Sequence, residues 1–464
     1  MQLSNEEEDY NLSLSKFESM LKTNKVLFFD SEEFEEIILH YLDIGKANLA
    51  KKALKLALDQ HPKSTGLKLV QVEMLVYDDK LDIAEKLLNE LYAIEPNNEE
   101  IYIQKANICS KRDQHEKAVE LLKIALQYTD DYADVYNLIG MEYLFMDNLE
   151  LAKDSFIKCL EEDLEDQSAL YNVVYCFEFL DQNQEAIVYL NEYINRNPYS
   201  EIAWHQLGRL HYGVKEYEEA IRAFDYATLI DDEFLGAFME KAKAYERLKK
   251  YNEAIESYNR TIELDDATSY ALLRIGKCYE KLGNLAKAIQ YYNQTVHEDP
   301  LLDKGWIAIT DFHLRQKNYQ KALFFVNKAL AIDNQNRLYW KRYATINKQM
   351  NFFEEAEFGF RKAVEFGDYA LDTWLYWVDI LQFLGEFETA IQTLLQASEY
   401  FPEENEIEYR LAGLYFMIQD NTKAKFHLSN GLRLNFDNYI LIEDLFPVVW
   451  TKKTVKNYIE KHRK

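Results

Sequence analysis

The chain has 464 residues, is 48% hydrophobic and 14% aromatic, and carries a formal charge of −27 from 80 acidic and 53 basic residues. That much apolar material fills a continuous core, while 14 glycines and 6 prolines leave little for linkers or low-complexity segments. The negative charge excludes nucleic acid or an anionic membrane as a general partner, and no apolar run approaches the roughly 18 residues of a membrane-spanning helix.

In chain order, the first segment, 1–30, opens on an acidic leader, Glu6, Glu7, Glu8 and Asp9. It lacks the basic and apolar regions of a secretory signal, so the expected location is cytoplasmic. Within it Tyr10, Leu14, Phe17 and Leu21 share one helical stripe, predicting a capping helix for whatever follows. From 31 to 438 the sequence repeats with a period of 34: Pro62, Pro96, Pro198, Pro300 and Pro402 are separated by 34, 102, 102 and 102 residues. If the unit starts at Ser31, each of these prolines falls at position 32. Position 20 is then alanine in twelve units out of twelve, from Ala50 to Ala424, without insertion or deletion. Position 24, one helical turn on, is always bulky, as in Leu54, Phe156, Tyr258 and Leu428. A small residue one turn before a large one makes a hole beside a knob.

Two stripes complete the unit. Positions 4, 8 and 11 (Phe238, Ala242 and Tyr245 in the seventh) and positions 20, 24 and 27 (Ala254, Tyr258 and Thr261) predict two amphipathic helices, neither able to bury its face alone. Gly45, Gly283 and Gly385 recur at position 15, where the first helix needs a left-handed residue to reverse, and proline at position 32 stops the second. The last segment, 439–464, carries Leu441, Ile442, Leu445 and Phe446 ahead of Pro447, then Lys452, Lys453, Lys456, Lys461, Arg463 and Lys464. It predicts capping helices with a basic tail, since the last apolar face of a stack needs cover.

At these residues the chain resembles the tetratricopeptide repeat family, whose 34-residue unit carries a Trp, Leu-Gly, Tyr, Ala, Phe, Pro pattern. Trp204, Leu207, Gly208, Ala220, Phe224 and Ala227 of the sixth unit match it; His211 stands in the Tyr slot and Asp232 in the Pro slot. The resemblance covers 31–438 and implies an all-α fold, a right-handed α-solenoid superhelix of twelve helix-turn-helix repeats. Lys68, Gln71, Lys105 and Glu408 occupy slots that are usually apolar, which predicts looser packing in repeats two, three and twelve.

Sequence signatures of chemistry are missing. There is no HExxH, GxGxxG, Walker or GxSxG motif, and Cys109, Cys159, Cys176 and Cys278 lie singly, without CxxC spacing. The cysteines are read as buried small hydrophobes, and neither catalysis, a metal nor a cofactor is expected. The threonines of two glycosylation sequons, Asn259-Arg260-Thr261 and Asn293-Gln294-Thr295, fall at position 27 inside a packed helix.

Function is therefore expected on a surface. In proteins of the family the first helices line a concave groove through positions 2, 5, 9, 12 and 13. Here Asn137, Met141 and Phe145 of repeat four, with Tyr171, Tyr175 and Phe179 of repeat five, form an aromatic set at positions 5, 9 and 13. A ladder apolar at position 5 and mostly basic at 9 and 13 follows: His205, Arg209 and Gly213, Met239, Lys243 and Arg247, Leu273, Lys277 and Lys281, then Ile307, Asp311 and Arg315, six of the eight residues at 9 and 13 being basic. The family's clamp for a terminal carboxylate is not reproduced in any three consecutive repeats; Asn172 and Lys304 are isolated fragments of it. The reading is a non-enzymatic protein-protein interaction scaffold or adaptor that binds an extended or helical, acidic segment of a partner protein in the concave groove of repeats four to nine. A self-associating structural spacer and a regulatory subunit of an enzyme encoded elsewhere are the alternatives, and the oligomeric state stays open.

Overall fold

A computed structural model describes residues 13–22, 27–264 and 268–462. The leader acids and Tyr10 at one end, and Arg463 and Lys464 at the other, lie outside these residues. Among the described residues there is no strand. Helices alternate along the chain in pairs, from Ser31–Asp43 with Ala47–Gln60 to Asn405–Met417 with Asn421–Leu434. No described helix is long and apolar enough to cross a membrane.

Most pairs begin on a capped turn; those starting at Leu235, Asp303 and Leu371 have no side-chain cap. Ser64, Asn98, Asp166, Ser200, Thr268 and Asn336, all at position 34, accept hydrogen bonds from backbone N–H groups in the first turn of the next helix. Asp30 forms a full capping box with Glu33. The backbone carbonyl at position 32 accepts from an aromatic at position 4 of the following repeat: Tyr102 on Pro96 (2.9 Å), Trp204 on Pro198 (3.0 Å), Trp306 on Pro300 (2.9 Å) and Trp340 on Asn334 (2.8 Å). Successive pairs are latched even where asparagine replaces proline.

The two stripes meet as a core. All twelve position-20 alanines, Ala50 to Ala424, are inaccessible to solvent, and their position-24 partners are buried. Two of the four polar residues in apolar slots, Lys105 and Glu408, have partners. Glu408 bonds His427 (2.8 Å), and the Lys105 ammonium sits 4.3 Å from the Tyr92 ring centre. Cys159, Cys176 and Cys278 are buried and Cys109 is half-buried, all as free thiols; burial pushes Cys176 up to about 11 and Cys278 up to about 12.

By contact density the chain divides into two compact units, Met1–Asp232 and Glu233–Lys464. The division falls at position 32 of repeat six, where Asp232 stands in the proline slot. In the first unit the helix at 13–22 places Phe17 and Met20 in a cluster with Phe29, Phe34, Ile37 and Tyr41. In the second, Ile442, Phe446, Val449, Val455 and Ile459 share one cluster with Leu411, Leu414 and Leu428. Gln382 also donates to the Leu445 carbonyl (2.9 Å).

Candidate binding surfaces

The first unit carries exposed aromatics. Tyr171, Tyr175 and Phe179 lie one turn apart on the helix Gln167–Phe179 and are 43%, 42% and 65% exposed. The Tyr175 and Phe179 rings approach to 4.4 Å. Phe145, 59% exposed, stacks on His115 at 5.3 Å, and His115 is fixed by Glu142 (2.8 Å). Met141 is half-buried against the core, with its sulfur 3.8 Å from the Asn172 amide. Arg209 is held by Gln206 (2.7 Å) and by Glu178 (3.6 Å), so part of its charge is spent inside the repeat stack.

Position 5 departs from the expected groove face. Leu273 is 2% and Ile307 9% exposed, and His205 is buried as well. Leu273 belongs to a cluster with Ile309 of the next repeat, and Ile307 to one with Ile346 of the next. In repeats eight and nine position 5 packs against the next repeat, so its apolar character there serves stacking rather than an open surface, unlike the exposed Tyr171 at the same position of repeat five.

The basic ladder meets in the second unit. Arg247, Lys277, Lys281 and Arg315, with Arg274, line a cleft of about 490 Å³ between the first helices Leu235–Arg247, Ser269–Lys281 and Asp303–Arg315. Glu246, Glu280, Asp311, Tyr251, Tyr292 and Ala308 complete the wall. Lys243 is outside it, half-buried with its ammonium 5.8 Å from the Tyr270 ring centre.

Every carboxylate in this wall is already engaged. Glu246 accepts from Arg274 Nε (2.8 Å), Arg274 Nη2 (2.7 Å) and the Tyr258 hydroxyl (2.6 Å). Glu280 accepts from the Tyr292 hydroxyl (2.8 Å) and pairs with Arg315. Asp311 is gripped by Arg342 through Nε (2.7 Å) and Nη2 (3.0 Å), from outside the cleft. Such two-point Arg–carboxylate pairs are the strong ones. Lys277 and Lys281 have no carboxylate partner among the described residues. Burial first, and the Arg274 charge second, hold the Lys277 ammonium below the ordinary lysine value, against the opposing pull of Glu246 and Asp311.

Sequence reasoning missed Arg274, Arg342 and Arg410. All three stand at position 6, in repeats eight, ten and twelve, and each pairs with an acid of the preceding repeat: Glu246, Asp311 and Asp379. The alternation of arginine at one position with acids one unit earlier was the available signal. Among the described residues no group of His, Cys, Asp and Glu is arranged to hold a metal ion.

Models of the tetratricopeptide repeat match residues 75–141, 133–166, 205–268 and 239–302. Over 157 residues the chain is 24% identical to anaphase-promoting complex subunit 3 of Schizosaccharomyces pombe (strain 972 / ATCC 24843), a match covering 34% of this chain and 24% of that protein. It thus spans about a quarter of that relative. Among solved structures, the APC/C hetero-tetramer Cut9-Hcn1 is matched over 97% of this chain and 95% of that one, at 14% identity and a TM-score of 0.35. A tetratricopeptide repeat protein from Parabacteroides merdae ATCC 43184 is matched over 53% of this chain and 97% of that one, at 14% identity and a TM-score of 0.40.

Proposed function

The chain belongs to the tetratricopeptide repeat family, and on that premise we propose that it is a non-catalytic scaffold that holds an acidic segment of a partner protein. The observation that carries this reading is the charge balance of the second-unit cleft. Its three carboxylates are neutralised by their own arginines, which leaves the Lys277 and Lys281 ammonium groups to face a ligand. In a chain with a net charge of −27, a cationic cleft is a local exception, and it attracts acidic segments while the rest of the surface repels polyanions. The exposed rings of Tyr175 and Phe179 in the first unit supply a separate surface for apolar anchors. The relative matched in sequence is named as a subunit of a complex, which agrees with a role in assembly. Free cysteines suit a reducing, cytoplasmic setting.

The test starts with affinity capture by the full chain and identification of the partner. A peptide spanning the partner's acidic segment should compete with the whole partner, and the same peptide with glutamines for its glutamates should not. Equal competition by both peptides would remove the electrostatic basis of the reading.

A further inference from the structure

Resting on that reading, we infer that the second-unit cleft takes a phosphorylated side chain of the partner segment, seated between Lys277 and Lys281. The two lysines stand four residues apart on one helix, with Arg274 three residues before Lys277, so three cations share one face. Like charges at this spacing repel and destabilise the helix that carries them. Arg274 is neutralised by Glu246, whereas neither lysine forms an ion pair among the described residues, and Lys277 feels Glu246 and Asp311 only at longer range. Lys304, at the start of the next first helix, adds a further positive charge that acts on Lys277. The empty protein therefore holds two ammonium groups without ion-pair partners, Lys277 half-buried and Lys281 exposed, and one bound dianion relieves both.

A single carboxylate compensates only one of them. A phosphoryl group carries a charge of about −1.5 to −2 at neutral pH and presents three acceptor oxygens, enough for both lysines at once. The guanidinium forks of Arg274 and Arg315 are committed to Glu246 and Glu280, so recognition falls to the lysines as point charges. The cleft volume of about 490 Å³ accommodates one such side chain together with its flanking backbone. Tyr251 and Tyr292 line the same cleft and supply apolar wall beside the charge.

The test uses the full chain in two arms. In the first, sodium phosphate and sodium acetate are titrated at constant ionic strength while the lysine side-chain resonances are followed, Lys277 being assigned by its loss in Lys277→Gln. Phosphate should shift the Lys277 signal at concentrations at least about tenfold lower than acetate, as charge-assisted bonding of a dianion by two lysines requires. Lys281→Gln should abolish that preference at the Lys277 signal, and Lys277→Gln should abolish the corresponding preference at the Lys281 signal. Both variants should melt at or above the parent temperature without phosphate, because each removes one of the repelling charges, so loss of binding cannot be blamed on misfolding.

The second arm compares a short acidic peptide containing one phosphoserine with its glutamate counterpart. Tighter binding of the phosphoserine form by about tenfold, lost in Lys277→Gln, is the expected result. Equal binding of the two peptides, or phosphate shifts no larger than those of acetate, overturns the phosphate inference. If Lys277→Gln then weakens both peptides alike, the acidic-segment reading stands without it. If neither peptide nor the captured partner responds to Lys277→Gln, the cleft reading falls as well.

Discussion

Where the first helix of each repeat ends, the chain must turn left-handed, and position 15 does so in all twelve repeats. Glycine fills only Gly45, Gly283 and Gly385; aspartate, asparagine, lysine or glutamine takes the other nine, with φ between 55° and 68°. The turn itself demands this conformation. At Lys249 the backbone N–H bonds the Glu246 carbonyl (3.0 Å) and the next N–H, of Lys250, reaches Tyr245 (2.9 Å), the hydrogen-bond pattern of a Schellman end. A lysine there gives up about 1–2 kcal/mol to the left-handed backbone, offset in part by the entropy glycine would lose. Lys249→Gly should therefore raise stability by about 0.5–1 kcal/mol in urea unfolding, and a loss of stability would contradict this account of the turn. Core pairing is equally local. Gly140, Gly208 and Gly276 at position 8 face Phe156, Phe224 and Tyr292 at position 24, and a methyl group added at Gly208 would lie 2.5 Å from the Phe224 ring. Gly208→Ala should cost roughly 1–3 kcal/mol. Adding Phe224→Leu should recover part of the loss, and strict additivity in the double-mutant cycle would deny the contact.

Helices are tied to their neighbours by ion pairs that cross from one repeat to the next. Arg410 is the most buried of these ties, reaching Asp379 of the preceding repeat and Glu406 (2.9 Å) on its own helix. Arg410→Ala would leave Asp379 only the longer pair with Lys348 (3.9 Å) and should cost about 3 kcal/mol, the lower end for a buried pair because Asp379 keeps that partner and partial access to water. Hydrogen exchange should show the loss concentrated in Asn405–Met417, and a loss spread evenly over the second unit would mean that Arg410 is not an inter-repeat tie. This level of structure also marks what could be read from the sequence. The alternation of Ala220 with Phe224, or Ala254 with Tyr258, is a contact within one helix pair, so the period exposes it. The fates of Arg209, Arg315 and Leu273 depend on the adjacent repeat: Glu178 claims the first, Glu280 the second, and the cluster around Ile309 the third. A reading taken one helix face at a time counts such residues as open surface.

Across the whole chain, we propose that the end helices act as caps on the repeats. Phe446 lies directly over Gly413, where an added methyl would fall 2.2 Å from its ring, and Ile442 and Val449 join the cluster around Leu411 and Leu428. Truncation after residue 438 should expose these side chains and produce aggregation, or loss of exchange protection over Asn405–Leu434. A truncated chain that stays monomeric and equally protected would make the tail a free appendage. The scaffold reading makes its own demand at this scale: charge in one unit and aromatic surface in the other should govern different phases of binding. The most direct measurement is the rate of association and dissociation of the captured partner, at several salt concentrations, with the full chain and two variants of it. Replacing both Lys243 and Lys277 with Glu should slow association and flatten its salt dependence, since steering across a Debye length of about 8 Å is screened by salt. Tyr175→Ala should leave that slope alone and speed dissociation, by an amount equivalent to about 1–3 kcal/mol. A partner that binds and leaves both variants at the parent's rates contradicts the account.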